Sequence, residues 1–278
     1  MSLDARDFAL ISKVVKEDSG LVLTDGRRVF VESRLKRVAA ERGVETVSAL
    51  CRSLRRESRG ETRRIVVEAL TNNETSFFRD GHPFDVLRDS VFAELEANVV
   101  GPLQIWSAAS SSGQEAYSVA MLLWERYGDE APVKGRVYAS DLSREMVERV
   151  RAGRYSELEL KRGLSEARRA EFFDDESEGA VVKGSLRRMV EVRVFNLLDE
   201  WSWQPRGLHI ILLRNILIYF APDLREQILA QAMKALVPGG FLVLGASETT
   251  IASAQPFELR RFGRTVMYQT PGALEGRR

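Results

Sequence analysis

The sequence contains a single cysteine, Cys51, and only two histidines among its 278 residues. One thiol excludes an intramolecular disulfide and a Cys-x-x-Cys zinc site, because both need paired cysteines. The histidines, His82 and His209, are far apart in the chain and lack the spacing of metal ligands. We therefore expect no metal, and we assign neither histidine a catalytic task.

Net charge is also nearly absent. Lys and Arg number 41 against 40 for Asp and Glu, which gives +1, so no overall field attracts nucleic acid or a membrane. No apolar stretch approaches the roughly 20 residues that a bilayer span needs. The N-terminal residues lack the apolar core and cleavage site of a signal peptide. We expect a cytoplasmic protein that binds no nucleic acid and does not insert into a membrane.

The first 70 residues predict a small bundle of short helices, because apolar residues recur there at helical spacing. Four such stripes can be read in chain order: Phe8, Ile11 and Val15; Val31, Leu35 and Val38; Val47, Leu50 and Leu54; Ile65, Ala69 and Leu70. Gly20 is placed to end the first helix. We predict a helical domain over 1–70, a linker over 71–98 that contributes to the site, and a larger domain over 99–278.

From about residue 99, apolar strands alternate with helices, the βαβ rhythm of a parallel sheet. The predicted strands are 103–108, 136–140, 190–196, 208–213 and 241–245, and the predicted helices are 114–126, 144–152 and 222–236, the last ended by Pro238, Gly239 and Gly240. The tail predicts a hairpin around Gly263 at or near a sheet edge. The stretch FDDESEGAVVKGS predicts a flexible loop or a small inserted hairpin, within a β insert at about 172–194.

Residues 103–120, LQIWSAASSSGQEAYSVA, predict a strand, a loop of small residues and a helix. A dinucleotide fold would need GxGxxG so that pyrophosphate could approach bare backbone amides, and this loop has one glycine, Gly113. Glu115, in the first turn of the helix, suits the helix dipole but would repel a phosphate. This favours a cationic or neutral ligand edge, which S-adenosylmethionine has. Alternatively, Glu115 faces solvent.

The next strand ends in Asp141, and an acid at this position accepts hydrogen bonds from ribose hydroxyls in nucleotide-binding α/β folds. Alternatively, Asp141 is an N-cap, although Ser143 could serve instead. Two acids at neighbouring strand ends, without a glycine fingerprint, favour an adenosyl sulfonium cofactor over NAD. The fold class is thus α/β, with a doubly wound Rossmann-like sheet, a mostly helical N-terminal domain and a small β insert.

Several stretches together resemble the chemotaxis receptor methyltransferases, the CheR family. They are LTNNETSFFRD (70–80), WSAASSSGQEAYS (106–118), YASDLS (138–143), FNLLD (195–199), LLRNILIYF (212–220) and LVPGGFLVLGASE (236–248). The resemblance implies an S-adenosylmethionine-dependent protein-glutamate O-methyltransferase that modifies the cytoplasmic helical bundle of a chemoreceptor and releases S-adenosylhomocysteine. Ala246, where the family often has histidine, and Gln114, where an acid is frequent, depart from the pattern.

The resemblance also implies roles for individual residues. The implied cofactor-binding residues are Asn73, Thr75, Arg79, Glu115, Asp141, Asn196, Leu197, Arg214 and Asn215, and the implied catalytic residues are Arg79, Arg214 and Tyr219. Glu115 would hold the methionine ammonium, Asp141 would hold the ribose, and Tyr219 would lie near the transferred methyl. Alternatively, Arg79 snorkels over an apolar patch. Arg214 directly follows the apolar run HIILL, and an arginine at the end of a buried strand is rarely without a function.

A glutamate acceptor needs no general base, since the side chain of glutamate in water has a pKa of about 4.3 and is ionised at neutral pH. A basic helix at about 52–64, with Arg52, Arg55, Arg56, Arg59, Arg63 and Arg64, would attract an acidic receptor surface. The β insert could dock a peptide from the receptor's C-terminus. The chain is expected to be a monomer. The alternatives are a signalling module that binds the cofactor without turnover and a methyltransferase for another acceptor.

Overall fold

The computed structural model describes residues 3–57, 60–202, 207–248 and 256–272. Contacts between residues divide the chain into two units. One comprises Met1–Asn72 with Tyr219–Leu224, and the other comprises Asn73–Ile218 with Arg225–Arg278. No helix in these described ranges is long and apolar enough to cross a membrane.

Within the described residues up to Asn72, the first unit forms four α-helices, as predicted: α1 (Ala5–Ser19), α2 (Arg28–Glu41), α3 (Val47–Arg56) and α4 (Glu61–Ala69). Gly20 ends α1 in the left-handed conformation, with φ of 73°. The predicted stripe of α4 is confirmed only at Leu70, which is buried. Thr62, Val66 and Val67 are buried, whereas Ile65 and Ala69 are only half-buried.

The predicted basic helix at 52–64 is two helices. Glu57, with φ of −104° and ψ of 101°, is extended and ends α3, and α4 begins only at Glu61. An extended residue breaks the ladder of i to i−4 hydrogen bonds, so the arginines of α3 and α4 do not share one helix face. Arg59 lies outside the described residues.

The second unit contains a seven-stranded and a three-stranded sheet. Its strands are β1 (Leu103–Ala108), β2 (Gly135–Asp141), β3 (Arg154–Tyr155), β4 (Phe173–Glu176), β5 (Gly179–Val182), β6 (Val190–Val194), β7 (Leu208–Leu213), β8 (Leu236–Leu244), β9 (Glu258–Phe262) and β10 (Thr265–Gln269). Its helices are α5 (His82–Val86), α6 (Phe92–Glu96), α7 (Gln114–Tyr127), α8 (Ala131–Lys134), α9 (Arg144–Ala152), α10 (Glu157–Leu160), α11 (Glu166–Phe172), α12 (Gly184–Arg187) and α13 (Pro222–Ala235), whose first three residues belong to the first unit.

The large sheet has the strand order β6-β2-β1-β7-β8-β10-β9. Strands β6, β2, β1, β7 and β8 are parallel, and the predicted hairpin β9–β10 adds the antiparallel edge. Strand β8 begins at Leu236, opposite Leu208, so Pro238 and the two following glycines belong to the strand rather than ending the helix. The core strand β7 is buried at every position, as expected of a strand covered on both faces.

The small sheet has the order β3-β5-β4, and β4 and β5 form the hairpin expected in FDDESEGAVVKGS. The insert nevertheless differs from the predicted range of about 172–194. Its first strand is Arg154–Tyr155, whereas Val190–Val194 pairs with β2 in the large sheet. Strand β6 is an edge of the large sheet, and only its central residue, Val192, is buried.

Candidate cofactor site

The candidate site lies at the carboxyl ends of β1, β2 and β7, which are neighbours in the sheet. The loop after β1 has an unusual backbone. Ala109, Ser111 and Gly113 have positive φ values of 56°, 51° and 94°, although the left-handed region costs a residue other than glycine about 1–2 kcal/mol. Such strain persists only where the surroundings over-determine it, and it clusters at functional sites.

At Gly113 a side chain would be strained by the positive φ and would also clash with neighbouring atoms. A Cβ there would lie 2.9 Å from a methyl group of Val150 and 3.2 Å from the Tyr155 hydroxyl. Tyr155 donates a hydrogen bond to the Ser112 carbonyl at 2.7 Å. The loop thus packs directly against α9 and the small sheet.

Asp141, at the end of β2, fixes the strained loop. Its Oδ2 accepts a hydrogen bond from the Ser111 amide at 2.8 Å, and its Oδ1 accepts one from the Ser143 amide at 2.9 Å. Asp141 does not cap α9, because the Ser143 hydroxyl accepts from the Met146 amide. The Asp141 carboxylate therefore joins two strand ends, and its predicted contact with a ribose stays a prediction.

Glu115 and Arg214 form a buried ion pair, with 2.8 Å between Glu115 Oε2 and Arg214 Nη1. Their side chains are 12% and 1% exposed, so the alternative of a solvent-facing Glu115 is wrong. The Ser107 hydroxyl donates to Glu115 Oε1 at 2.7 Å. Arg214 Nη2 also donates to Asp80 Oδ2 at 2.7 Å and to the Arg79 carbonyl at 2.8 Å.

This cluster, Asp80, Glu115 and Arg214, has two carboxylates for one guanidinium. The excess negative charge suits a cationic ligand group. Within the described residues, the Arg214 Nε is buried without a hydrogen-bond partner, and its guanidinium lies 5.3 Å from the Phe84 ring centre. Burying a charge carries a large desolvation cost unless the charge is paired. This cost explains why two acids converge on Arg214.

The segment 73–79 contacts the loop after β1 and, at the Arg79 carbonyl, Arg214, in both cases through its backbone. The Ser111 hydroxyl donates to the Asn73 carbonyl at 2.8 Å, and Thr75 is half-buried in the same segment. Arg79 Nη1 donates to the Glu74 carbonyl at 2.8 Å. The Arg79 side chain is therefore held by the backbone, whereas it is Arg168 that lies over the Phe78 ring, at 3.8 Å.

Asn196 and Leu197 follow β6, next to Asp141. The Phe195 amide donates to the Asp141 carbonyl at 2.9 Å, which places the turn beside the end of β2. Asn196 Oδ1 accepts a hydrogen bond from the Leu198 amide at 3.1 Å. The Trp201 indole donates a hydrogen bond to the carbonyl of the buried Leu197 at 3.2 Å. A polar and an apolar residue thus lie next to the predicted ribose position.

Asn215 directly follows Arg214 and has a positive φ of 60°. Its amide donates to Glu248 Oε2 at 2.6 Å, and Glu248 is completely buried. Glu248, Asp80, Ser107 and Ser111 were not among the predicted site residues. The sequence does indicate Glu248, because this acid ends the stretch LVLGASE directly after an apolar strand.

Tyr219 belongs to the helical unit. Asn72 Nδ2 donates to its hydroxyl at 2.5 Å, and the Arg27 guanidinium lies 5.2 Å from its ring centre. Its predicted role near the transferred methyl stays a prediction.

Neither histidine has a metal-binding environment. His82 Nδ1 lies 2.7 Å from the Thr265 hydroxyl, and His209 Nδ1 accepts from the Gln104 amide at 2.9 Å. Burial lowers the pKa of His209, so the ring is neutral at neutral pH. In the part of the chain that the structure describes, no group of three or more His, Cys, Asp and Glu residues could hold a metal ion.

Comparison with known families assigns both parts of the chain. Residues 6–71 match the family described as the CheR methyltransferase all-alpha domain, and residues 73–265 match the CheR methyltransferase SAM binding domain. The chain belongs to the CheR methyltransferase family. It is therefore an S-adenosylmethionine-dependent methyltransferase of chemotaxis.

Relatives match over almost the whole CheR chain. A chemotaxis protein methyltransferase of Vibrio parahaemolyticus is 40% identical, with 95% of each chain covered. Chemotaxis protein methyltransferase 1 of Vibrio cholerae is 39% identical, again over 95% of each chain. Chemotaxis protein methyltransferase Cher2 of Pseudomonas putida is 35% identical, over 97% of this chain and 99% of its own.

The donor set of this CheR site fits its family's cofactor. S-adenosylmethionine carries an ammonium and a sulfonium but no phosphate, and Asp80 and Glu115 leave the cluster around Arg214 with excess negative charge. The strained loop offers no glycine fingerprint to a pyrophosphate. A cationic adenosyl ligand is thus the better match to these residues than a dinucleotide.

Proposed function

We propose that this CheR protein transfers the methyl group of S-adenosylmethionine to glutamate side chains on the cytoplasmic helical bundle of a chemoreceptor. One observation supports a carboxylate acceptor. Among the described residues of the site, each carboxylate already has an arginine or backbone partner, and both histidines are bonded elsewhere. A site without a general base to remove a proton suits an acceptor that is already ionised at neutral pH.

The residues then have simple tasks. S-adenosylmethionine, when bound, supplies an electrophilic methyl; a new carboxylate-oxygen-to-carbon bond replaces the sulfur-to-carbon bond, leaving a methyl ester and S-adenosylhomocysteine. Positive and negative charge cancel along this path, so excluding water and fixing the line of attack contribute most. Arg79 or Arg214 would orient the incoming carboxylate, with Tyr219 aligning it.

For the cofactor itself we propose the roles that the resemblance implies. Glu115 would hold the ammonium and Asp141 the ribose. The remaining proposed contacts are Asn73, Thr75, Arg79, Asn196, Leu197, Arg214 and Asn215. The boundaries 1–70, 71–98 and 99–278 are likewise proposed as the functional division of the chain, and a monomer is proposed as its state.

The basic surface proposed for the receptor is smaller than the sequence predicted. Arg55 pairs with Asp7 at 2.7 Å, Arg63 pairs with Asp18 at 2.5 Å, and Arg64 pairs with Glu68 at 2.6 Å. Arg52 and Arg56 are exposed on α3. These two arginines are the part of the surface that we propose attracts an acidic receptor helix, with an affinity that falls as salt rises.

Docking of a receptor C-terminal peptide at the insert is also a proposal. Strand β4 is an edge of the small sheet, and an open edge can pair with an extended peptide. The acidic residues of β4, DDE, favour a basic peptide, although Asp175 already pairs with Arg169 and Glu176 with Arg154.

The test is transfer of a tritiated methyl group to a purified chemoreceptor cytoplasmic fragment. We expect label that alkali releases as methanol, the signature of a methyl ester, and its loss when the receptor glutamates are changed to glutamine. Alkali-stable label would indicate a different acceptor. Tight binding of S-adenosylhomocysteine without transfer to any fragment would instead support the non-catalytic signalling module.

A further inference from the structure

Glu248 is a fully buried acid that lies outside the set of predicted cofactor and acceptor contacts. Its Oε2 accepts hydrogen bonds from the Asn215 amide at 2.6 Å and the Gly245 amide at 2.9 Å, and its Oε1 accepts one from the Ile218 amide at 3.3 Å. A buried carboxyl group carries a large desolvation cost unless such bonds offset it. Three converging amides meet that requirement and tie two loops together.

The amides that Glu248 binds belong to the segment that carries Arg214. Asn215 has a φ of 60°, which is unfavourable for a residue other than glycine. Holding its amide and that of Ile218 fixes both ends of the turn after β7. Arg214, one residue before this turn, points into the cluster with Asp80 and Glu115. The direction of the Arg214 side chain therefore depends on a backbone that Glu248 holds.

We propose that Glu248 is a positioning residue for the cofactor site: it holds the turn 215–218 so that Arg214 and Asn215 meet the cofactor. It acts through these two residues and does not itself touch the ligand. This inference rests on the proposed cofactor roles of Arg214 and Asn215.

The decisive variant is Glu248→Gln, which keeps the shape of the side chain. A glutamine has one acceptor oxygen and a nitrogen that can only donate, so at least one buried amide of the three would face another donor. Loss of a buried hydrogen bond to a charged group corresponds to about tenfold or more in an equilibrium. We expect the affinity for S-adenosylhomocysteine, measured by titration calorimetry, to fall at least tenfold.

The matched control is Glu94→Gln on α6. Glu94 is a partly buried acid of the same unit, bonded to Arg260 and Gln269 at the sheet edge. We expect this variant to lose thermal stability while binding S-adenosylhomocysteine within twofold of the unchanged protein. A merely structural role for Glu248 would make the two variants alike in both measurements.

A double-mutant cycle with Arg214→Lys tests whether Glu248 acts through Arg214. If it does, the two losses of affinity are not independent, and the double variant binds far more tightly than the product of the single losses predicts. The cycle of Glu94→Gln with Arg214→Lys should be multiplicative. Multiplicative losses in both cycles, or unchanged binding by a folded Glu248→Gln protein, would overturn the inference.

Gly245→Ala tests the same contact if Glu248→Gln does not fold. A Cβ at Gly245 would lie 2.7 Å from both Glu248 Oε2 and Asn215 Nδ2 and 2.9 Å from the Asn215 amide nitrogen, so it would push the turn away without removing the acid. We expect a comparable loss of affinity, and unchanged binding would contradict the inference. If Arg214→Lys alone leaves binding unchanged, the proposed cofactor site fails instead, which separates the two failures.

Discussion

Asp141→Asn is the perturbation whose effect follows most directly from the site geometry. Each carboxylate oxygen of Asp141 accepts one backbone amide, that of Ser111 at 2.8 Å and that of Ser143 at 2.9 Å. Asparagine keeps one acceptor oxygen and turns a donor towards the other amide. Hydrogen bonds to charged groups contribute roughly 1.5–3 kcal/mol, so we take about 2 kcal/mol for the lost bond.

That loss acts on the strained loop. Ser111 has a φ of 51°, and without its bond to Asp141 the loop can relax away from the ligand-binding conformation. About 2 kcal/mol corresponds to about thirtyfold in a binding constant. Titration calorimetry with S-adenosylhomocysteine should therefore show an affinity about thirtyfold lower, and a lower melting temperature.

Ser143→Ala provides the matched control, because Ser143 is the next polar residue and caps α9 through its hydroxyl. Loss of an N-cap costs about 1 kcal/mol of stability but leaves the Asp141 carboxylate in place. We expect S-adenosylhomocysteine affinity within twofold of the unchanged protein. A folded Asp141→Asn protein that binds as tightly as its Ser143→Ala control would refute the reasoning.

Three further predictions concern other parts of the chain. Tyr219→Phe should lower kcat severalfold more than it lowers cofactor affinity, because the proposed role of its hydroxyl is alignment; steady-state rates and calorimetry together measure this. Gly163→Ala should lower the free energy of unfolding by about 3 kcal/mol in urea, since Gly163 has a φ of 90° and its Cβ would lie 1.9 Å from the Phe77 carbonyl oxygen. Because the pKa of His209 is lowered, its contribution to stability is present above about pH 6.5 and is lost as the pH falls through that lowered value. The variant His209→Gln removes this titration, while its amide oxygen can still accept from Gln104. We therefore expect its stability to fall less between pH 7 and pH 5.

These predictions have their own controls. Normal turnover by Tyr219→Phe would remove that hydroxyl from the mechanism. Gly101→Ala is the control for Gly163, because Gly101 has a φ of 106° but nothing within 4 Å of its Cβ position; it should cost only about 1–2 kcal/mol. Equal losses in the two glycine variants would show that the contact with Phe77 does not matter. An unchanged pH slope in His209→Gln would mean that other groups set the acid sensitivity.

The α/β architecture could be read from the sequence because its signals are local. An apolar run as short as LHIILL, with its β-branched residues, favours a covered strand, and β7 has the predicted bounds. Gly20 ends α1 where its conformational freedom predicted. By contrast, the stripe of α4 and the extent of the β insert depended on which neighbours cover each face, and those contacts are not local.

Three residues of the candidate site could be picked out from the sequence alone. Glu115, Asp141 and Arg214 each follow or end a predicted strand, and parallel strands place their carboxyl ends at one edge. The sequence also excluded a disulfide framework and favoured an adenosyl sulfonium cofactor over a dinucleotide.

The pairing of these side chains depends on the fold. Glu115 lies 99 residues from Arg214 in the chain, and Glu248 lies 33 residues from Asn215, yet each pair is hydrogen bonded. Local propensity carries no information about such pairings, because a buried charge selects its partners by desolvation and geometry across the folded unit. The same reason explains why Glu248 was not predicted: its position after an apolar strand does not reveal which amides the fold brings to it.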